Sequence, residues 1–158
     1  MLEVPKLPQG KGGPMRRRIV LGFAGTQRGM TRRQECRLLA LLSEAPLVSV
    51  EAVRHGDAVG ADAQMHAMAQ HMGKRILVHP CDIESQRAWC KGAAYVAEPK
   101  HPLTRNKDII DGSDVVLAMP ATRHEVQQSG TWAAIRGVRR GNQKLLIIWP
   151  DGQFVWEN

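Results

Sequence analysis

The residues Ser129, Gly130 and Thr131 stand directly before an apolar helical pattern that runs to Arg140. Two hydroxyls, a residue without a side chain and the unpaired amides of a helix start are groups that bind phosphate oxygens in proteins. The sequence therefore predicts a phosphate-binding site here. The alternative is structural, because a serine in this position also serves as an ordinary N-cap.

A second group of donors, Arg105 and Asn106, opens a predicted helix at 103–111, with Lys107 beside them. Guanidinium groups donate the charge-assisted hydrogen bonds that phosphate accepts. Taken alone, a solvated helix end would explain these residues equally well. Their order relative to the other turns favours a shared phosphate site.

The first glycine turn of the chain contains Gly22, Gly25 and Thr26, with Arg28 just beyond it. Its glycines lack the spacing of a dinucleotide-binding fingerprint, and many such turns need glycine only to change direction. We include these four residues among the candidate phosphate ligands, because glycine lets backbone amides approach an anion closely.

The second glycine turn is bracketed by Gly56 and Gly60, and it leads into a predicted helix. Asp62 lies in the first turn of that helix, where it would contact a ribose hydroxyl or stabilise the helix start by its charge. Asp57 is the other acid that could contact a ribose. His66 shares a helical face with Asp62, and packing is the more common role for such a histidine.

Catalysis at such a site would need a carboxylate beside the bound group. Glu125 is the only acid between Pro120 and Thr131, and it is the first candidate for a general acid or base. Asp57 is the second catalytic candidate. A solvated loop glutamate is the alternative interpretation of Glu125.

The composition is that of a globular protein, with 43% hydrophobic and 23% charged residues among 158. No apolar run approaches the roughly 20 residues that span a bilayer, and the N-terminus lacks the pattern of a secretion signal, so we expect no membrane partner. Cys36, Cys81 and Cys90 are odd in number and lack the spacing of a zinc site, which favours reduced thiols in the cytoplasm. We predict no metal and no other cofactor.

The net charge of +7 indicates a polyanionic partner. Much of this charge lies near the start of the chain, where one acid, Glu3, is outnumbered by Lys6, Lys11, Arg16, Arg17 and Arg18. Residues 1–15 are also rich in proline and glycine, so we predict a flexible basic tail at 1–15 and a single domain at 16–158. The tail is either a solvated lead-in or an arm that contacts nucleic acid.

Short apolar runs alternate with helical patterns along the rest of the chain. We predict strands at 18–23, 48–54, 75–79, 115–119 and 145–149, with a sixth edge strand at 153–156. Helices are predicted at 31–43, 60–73, 103–111 and 129–140, with a short helix at 85–91 inside a long loop at 80–102. This pattern predicts an α/β fold, a Rossmann-like three-layer sandwich with a mainly parallel sheet of five or six strands. Ligands bind at the carboxyl ends of such strands, so the turns should gather at one edge.

Taken together, these segments resemble the SLOG superfamily, which unites the DNA-processing protein A family with the LOG-type phosphoribohydrolases. The resemblance covers roughly residues 19–150. It is carried by Gly56 to Asp62 with His66 and Gly73, by Arg105-Asn106 before Ile109-Ile110, and by Ser129-Gly130-Thr131. The chain also resembles short bacterial and phage proteins that carry the motifs GFxGTxxGMT, HGDxVGAD, TRN and SGTW.

The resemblance implies a domain that binds a nucleotide or a nucleotide-derived small molecule. The LOG-type branch implies hydrolysis of the N-glycosidic bond of a nucleoside monophosphate. That branch has a glutamate soon after its Gly-Thr pair, whereas residues 132–135 contain no acid, so Glu125 would have to substitute. The DNA-processing branch implies the alternative, a module that binds single-stranded nucleic acid. Whether the chain is an enzyme stays open.

Domains with such sheets often self-associate through exposed helices. We therefore expect a homodimer or tetramer, with the helix that contains Trp132 as the candidate surface.

Overall fold

The computed structural model describes residues 18–158. The predicted tail at 1–15, and the predicted start of the domain at residue 16, lie outside the described residues. None of the helices in residues 18–158 has the length and apolarity to cross a membrane.

The described chain forms one sheet of seven strands in the order β4-β3-β2-β1-β5-β6-β7. All neighbouring strands are parallel except β6 and β7, which pair antiparallel. The strands are β1 Ile19–Gly25, β2 Val50–His55, β3 Arg75–Val78, β4 Tyr95–Val96, β5 Val115–Met119, β6 Lys144–Ile148 and β7 Phe154–Glu157. The prediction of an α/β fold with a mainly parallel sheet is confirmed.

The predicted count of five or six strands is wrong, because β4 was missed. This strand has two residues and lies within the stretch predicted as a long loop. Both of its residues are exposed, so it has no alternation of apolar and polar side chains to detect. Its register comes from backbone pairing with Leu77 and Val78 of β3.

Four α-helices connect the strands within residues 18–158. They are α1 Arg32–Leu42, α2 Ala61–His71, α3 Pro102–Asp111 and α4 Gly130–Arg139. Thr31 caps α1 as predicted, in a capping box with Gln34 that satisfies two backbone amides at the helix start. The predicted short helix at 85–91 is wrong, because only a 3-10 turn, Glu84–Gln86, forms there.

The helices cover both faces of the sheet, and alternation along β5 shows how. Leu117 and Met119 belong to an apolar core with residues of α1 and α2. Val116 and Ala118 point the other way, into a core with Trp132 and other residues of α3 and α4. A sheet that is apolar on both faces needs a helical layer on each. The arrangement is compatible with a Rossmann-like fold.

The order in which the chain adds strands to the sheet reverses beside β1. From β1 the next strands, β2 and β3, add on one side, whereas β5 and β6 add on the other. A crevice opens outside the carboxyl ends of the strands at such a reversal point. Gln34 ties α1 to the ends of β5 and β6, because its fully buried side chain donates to the carbonyls of Pro120 and Ile148, at 3.0 Å each.

Candidate anion-binding cleft

A cleft of about 350 Å³ lies at the carboxyl ends of β1 and β5. It is bounded by the starts of α2 and α4 and by the first turns of α3. Most of the site residues predicted from the sequence line it, namely Gly25, Thr26, Arg28, Gly56, Asp62, Arg105, Asn106, Ser129, Gly130 and Thr131. The structure thus brings together turns that lie more than 100 residues apart in the chain.

The start of α4 presents donors to this cleft. Ser129 is the N-cap, and its Oγ accepts a hydrogen bond from the amide of Trp132 at 3.2 Å. The amides of Gly130 and Thr131 donate to no acceptor in residues 18–158. The hydroxyl of Thr131 also bonds to no described residue, although Thr131 is largely buried. Ser129 therefore has the structural role of an N-cap, and it leaves two amides unpaired at the positive end of the helix dipole.

Gly130 has a feature that the fold does not explain. Its φ lies outside the left-handed region, and a Cβ added there would meet no atom within 4 Å. An alanine would therefore fit the protein itself at this helix position. The space that a Cβ would occupy is open.

Two arginines of the described chain line the cleft. Arg105 is held in place, since its Nη1 donates to the carbonyl of Gly56 at 2.6 Å and its Nε donates to Asn106 Oδ1 at 2.9 Å. Asn106 in turn reaches the carbonyl of Gly130 at 3.4 Å. The guanidinium of Arg28 forms no hydrogen bond or ion pair with the described residues, while its backbone amide donates to Thr26 Oγ1.

Gly56 is required by this arrangement. A Cβ at Gly56 would run into the guanidinium of Arg105. The missing side chain therefore lets the turn after β2 touch the arginine directly.

Asp62 is the one carboxylate among the described residues that line the cleft. It is 4% exposed, and its Oδ2 accepts hydrogen bonds from the amides of Gly56 and Ala58 at 3.1 and 3.2 Å. Its Oδ1 is buried without a hydrogen-bond partner among the described residues. Burial raises the pKa of Asp62 to about 6, against the opposing effect of the Arg105 charge and the nearby amides.

Two of the predicted glycine ligands do not line the cleft. Gly22 lies inside β1, where a Cβ would crowd the side chains of Ser113 and Ile109. Gly60 caps α2 with φ +92, and a Cβ there would meet the carbonyls of Thr26 and Gln27. Both glycines permit close packing of the protein against itself.

Asp57, the second predicted catalytic acid, also lies away from the cleft lining. Its buried carboxylate accepts hydrogen bonds from Arg87 Nε at 2.9 Å and from the amide of Cys90 at 2.8 Å. Burial alone would raise the pKa of Asp57, but these hydrogen bonds hold it below its usual value. Arg87 is itself stacked on the ring of Trp89, with its guanidinium carbon 3.7 Å from the ring centre.

Glu125, the first predicted catalytic acid, does not line the cleft either. Its carboxylate is exposed and accepts a hydrogen bond from Arg136 Nη1 at 2.8 Å. Arg136 also donates to the carbonyl of Gln127. The glutamate therefore helps to tether the loop before α4.

Next to Asp57 lies a hydrogen-bonded pair of histidines that the sequence did not indicate. We call His55, Asp57, His66, Arg87 and Cys90 the sealed cluster. His55 Nδ1 accepts from the amide of Asp57 at 3.0 Å, so its proton is on Nε2, which lies 2.8 Å from His66 Nδ1. His66 Nε2 then donates to the carbonyl of Lys91 at 2.7 Å. Burial, followed by the neighbouring His66, lowers the pKa of His55 to about 3.

The sealed cluster contains three potential metal ligands, His55, His66 and Cys90, whose donor atoms lie within 4.8 Å of one another. The hydrogen bonds do not suit a metal. A metal on His55 Nε2 would move the ring proton to Nδ1, where it would face the amide hydrogen of Asp57. His66 is a buried packing histidine, as its spacing suggested.

Trp132 is a residue of the cleft that the sequence placed only in the core. It is 4% exposed, lines the cleft and packs against Trp149 with ring centres 6.1 Å apart. Its Nε1 is buried and has no hydrogen-bond partner in the part of the chain that the structure describes. Because the ring is buried within the protein, it does not supply an outer face for self-association, and the expected oligomer stays a prediction.

Comparison with models of known protein families, with curated proteins and with solved structures finds no match to this chain.

Proposed function

We propose that the cleft binds the phosphate group of a nucleotide or of a nucleotide-derived small molecule. The observation that carries this proposal is the start of α4, where two unpaired amides and an open glycine position face the cleft beside Arg105. A helix N-terminus with free amides is a favourable place for a phosphate.

The charges of the cleft favour an anion. Among the described residues of the cleft, Arg28 and Arg105 are opposed by a single carboxylate, Asp62, whose Oδ2 already accepts from two amides. The hydroxyls of Thr26, Ser129 and Thr131 add donors without adding negative charge. The cleft also lies where the strand order reverses, which is where nucleotides bind in open α/β sheets.

Gly130→Ala is the sharpest test of this proposal. The added Cβ meets open space in the protein, so the free energy of unfolding should stay the same or rise by less than about 1 kcal/mol. In the complex the same Cβ would crowd the phosphate, so affinity should fall at least roughly tenfold. Calorimetric titration with inorganic phosphate and with nucleoside mono- and diphosphates measures this.

Gly141→Ala is the matched control. It makes the same exchange outside the cleft, where the tightest contact of a Cβ would be with the flexible end of Gln143, and the carbonyls of Val138 and Gly137 would lie at ordinary contact distance. Its affinity should equal that of the wild type. Absence of binding by the wild-type protein to every ligand in the panel would contradict the proposal, and so would unchanged affinity in Gly130→Ala.

A narrower proposal is hydrolysis of the N-glycosidic bond of a bound nucleoside monophosphate. It is supported by the resemblance to the LOG-type hydrolases. Neither Glu125 nor Asp57 lines the cleft, so Asp62 is the described carboxylate nearest to a ligand there. Chromatography of free base after incubation with each ribonucleoside monophosphate tests this step. Binding without release of base would mean that the ligand is held and not cleaved.

The second candidate function is binding of single-stranded nucleic acid, and a groove of about 540 Å³ along α1 favours it. Arg32, Arg33 and Arg37 line this groove, and Arg32 and Arg33 form no ion pair with described residues. Positive charge at a helix N-terminus interacts unfavourably with the helix dipole, so Arg32 and Arg33 lower the free energy of unfolding. A polyanion laid along the groove would offset that cost.

Filter binding of a labelled single-stranded oligonucleotide at increasing salt tests the second candidate. Affinity should fall steeply with salt, and Arg32→Gln with Arg33→Gln should weaken it and flatten the salt dependence. Binding that does not depend on salt would count against this function. The order of the motifs also leads us to propose membership of the SLOG superfamily, which fits both candidates.

A further inference from the structure

The outer edge of β7 pairs with no strand of the described chain. Three consecutive apolar side chains on this strand are partly exposed, Phe154 at 40% and Val155 and Trp156 at 37% each. Natural proteins usually protect an edge strand by making it very short or by placing lysine or proline on it. The opposite edge strand, β4, has only two residues, whereas β7 has four and contains neither lysine nor proline. The edge of β7 is therefore open to pairing.

The backbone of Phe154 and Trp156 points outward from this edge. In an antiparallel ladder, opposed residues that bond to each other alternate with opposed residues that do not. The amide of Trp149 donates to the carbonyl of Gln153 at 2.8 Å, so Val155, two residues farther along, also bonds to β6, and its two neighbours do not. None of the residues 18–158 bonds to the amides and carbonyls of Phe154 and Trp156. These groups form a row of two donors and two acceptors.

We propose that β7 pairs antiparallel with β7 of a second copy of this chain, so that the two sheets join into one across a two-fold axis beside Val155. Phe154 of each copy then exchanges two backbone hydrogen bonds with Trp156 of the other. Such an interface uses the same surface on both copies, as two-fold symmetric dimers do.

The register follows from the direction of the backbone and from the side chains. Outward-pointing residues must meet each other, so the axis can pass only beside Phe154, Val155 or Trp156. An axis at Phe154 would place Glu157 opposite Asp151, which opposes two like charges. An axis at Trp156 would place Glu157 opposite Val155. The axis at Val155 places aromatic rings opposite aromatic rings and valine opposite valine, so it is the favoured register.

The charges beside the edge are complementary in this register. Glu157 lies opposite Gln153 of the second copy, and the side chain of Gln153 accepts a hydrogen bond from Arg123. Residues 153, 155 and 157 share one face of the strand, so Glu157 approaches a cation of the other copy. Within its own chain its carboxylate accepts two hydrogen bonds from Arg139 of α4, both at 2.9 Å. The charge of Glu157 is thus matched on the α4 side of the sheet and does not oppose pairing.

Disulfide cross-linking tests the register. The two copies of Val155 form a pair without backbone bonds, in which the Cα atoms lie about 4.5 Å apart, within the span of a disulfide. Val155→Cys, made in a Cys36→Ser background that removes the exposed native thiol, should therefore give a covalent dimer with oxidised glutathione.

Gln153→Cys in the same background is the control for cross-linking. The two copies of residue 153 would lie roughly 13 Å apart, too far for a disulfide. Electrophoresis without reductant compares the two variants. Absence of a covalent dimer in Val155→Cys, or an equal yield in Gln153→Cys, would overturn the inference.

Sedimentation equilibrium tests the dimer without cross-linking. The wild type should show twice the mass of the chain. Val155→Lys places two ammonium groups opposite each other and should raise the dissociation constant of the dimer at least roughly tenfold. Val96→Lys makes the same exchange on β4, where Val96 is 51% exposed, and should leave the dimer intact.

Two results of this experiment would overturn the inference. Loss of the dimer in Val96→Lys but not in Val155→Lys would assign the interface to the β4 edge. A monomeric wild type would exclude a second copy as the occupant of the edge, which would then be an extended peptide, either from residues 1–17 or from another protein.

Discussion

The cleft and the sealed cluster share the turn between β2 and α2, yet they treat polar atoms in opposite ways. In the sealed cluster, each imidazole nitrogen of His55 and His66 and each carboxylate oxygen of Asp57 has a protein partner. In the cleft, the amides of Gly130 and Thr131, the Nε1 of Trp132 and Oδ1 of Asp62 have no partner in residues 18–158. Polar groups that bond to one another hold the fold, whereas the unpaired amides at the start of α4 remain available to a ligand.

The largest expected effect comes from breaking the sealed cluster. Asp57→Ala leaves the largely buried Arg87 without its carboxylate, which should lower the free energy of unfolding by about 3 kcal/mol. Urea denaturation measures this change. The folded protein should still bind the same ligands, because Asp57 does not line the cleft.

Glu51→Ala is the control for this variant. It removes the partner of Arg18 in an exposed ion pair and should change the free energy of unfolding by less than about 1 kcal/mol. If Asp57→Ala were fully stable and lost ligand binding instead, the assignment of the two regions would be reversed.

The double variant Ser129→Ala with Thr131→Ala should show the opposite pattern. Loss of the N-cap should cost about 1 kcal/mol of folding free energy. Affinity for a phosphate ligand should fall roughly 30-fold, since two hydroxyl donors are lost from the cleft. Calorimetry and urea denaturation on the same preparation separate the two effects. A loss of stability with unchanged affinity would leave Ser129 as an N-cap only.

The contribution of the sealed cluster to the free energy of unfolding should change with pH in the opposite direction to that of the cleft. Burial lowers the pKa of His55 to about 3 and that of His79 to about 4, so their stabilising contribution is complete above pH 6.5 and is lost as the pH falls. His79 is a buried residue that directly follows β3, outside both regions. In the cleft, the pKa of Asp62 is raised to about 6, so its contribution is present below its ordinary value of 3.8 and is lost as the pH rises through 6. As the pH falls, the two histidines lose more stabilisation than Asp62 gains. The free energy of unfolding should therefore fall from pH 6.5 to pH 4.

Asp62→Asn removes the opposing contribution and should make that fall steeper. Urea midpoints at half-unit intervals between pH 4 and pH 7 measure both slopes. A shallower slope in Asp62→Asn than in the wild type would contradict the assigned direction for Asp62.

The smallest effect is expected for Glu125→Gln. Its ion pair with Arg136 is exposed, so the free energy of unfolding should change by about 0.5 kcal/mol or less. Ligand affinity should stay within twofold of the wild type, because Glu125 does not line the cleft. If the protein releases base from a nucleotide and this variant abolishes the release, Glu125 would again be the first candidate for the catalytic acid.

The sequence predicted the turns of the cleft better than the acids around it. Ser129 to Thr131 and Arg105 follow patterns that end strands and begin helices, and parallel strands bring such segments to one edge. Asp57 could not be placed in this way. Its φ of +55 turns the residue in a direction that the strand pattern does not predict, and its partner Arg87 comes from a segment 30 residues away. Glu125 could not be placed either, because its orientation depends on an ion pair with Arg136 of α4.

The glycines show a similar division. Five glycines are candidate phosphate ligands, and the structure gives them different roles. A Cβ at Gly22, Gly25 or Gly60 would crowd other parts of the protein, and a Cβ at Gly56 would crowd Arg105. Of these five, only Gly130 has open space in the described chain where its Cβ would be. That distinction depends on what lies opposite each missing Cβ, which composition and spacing do not contain.

The most direct test of phosphate binding at the start of α4 is an NMR titration of the 15N-labelled protein with inorganic phosphate and with a nucleoside monophosphate. The amide signals of Gly130 and Thr131 should shift most, because their hydrogens would gain an acceptor that they lack in the free protein. The indole signal of Trp132 should shift with them. Largest shifts along the arginines of α1, or no shifts at Gly130 and Thr131 at saturating ligand, would contradict the account.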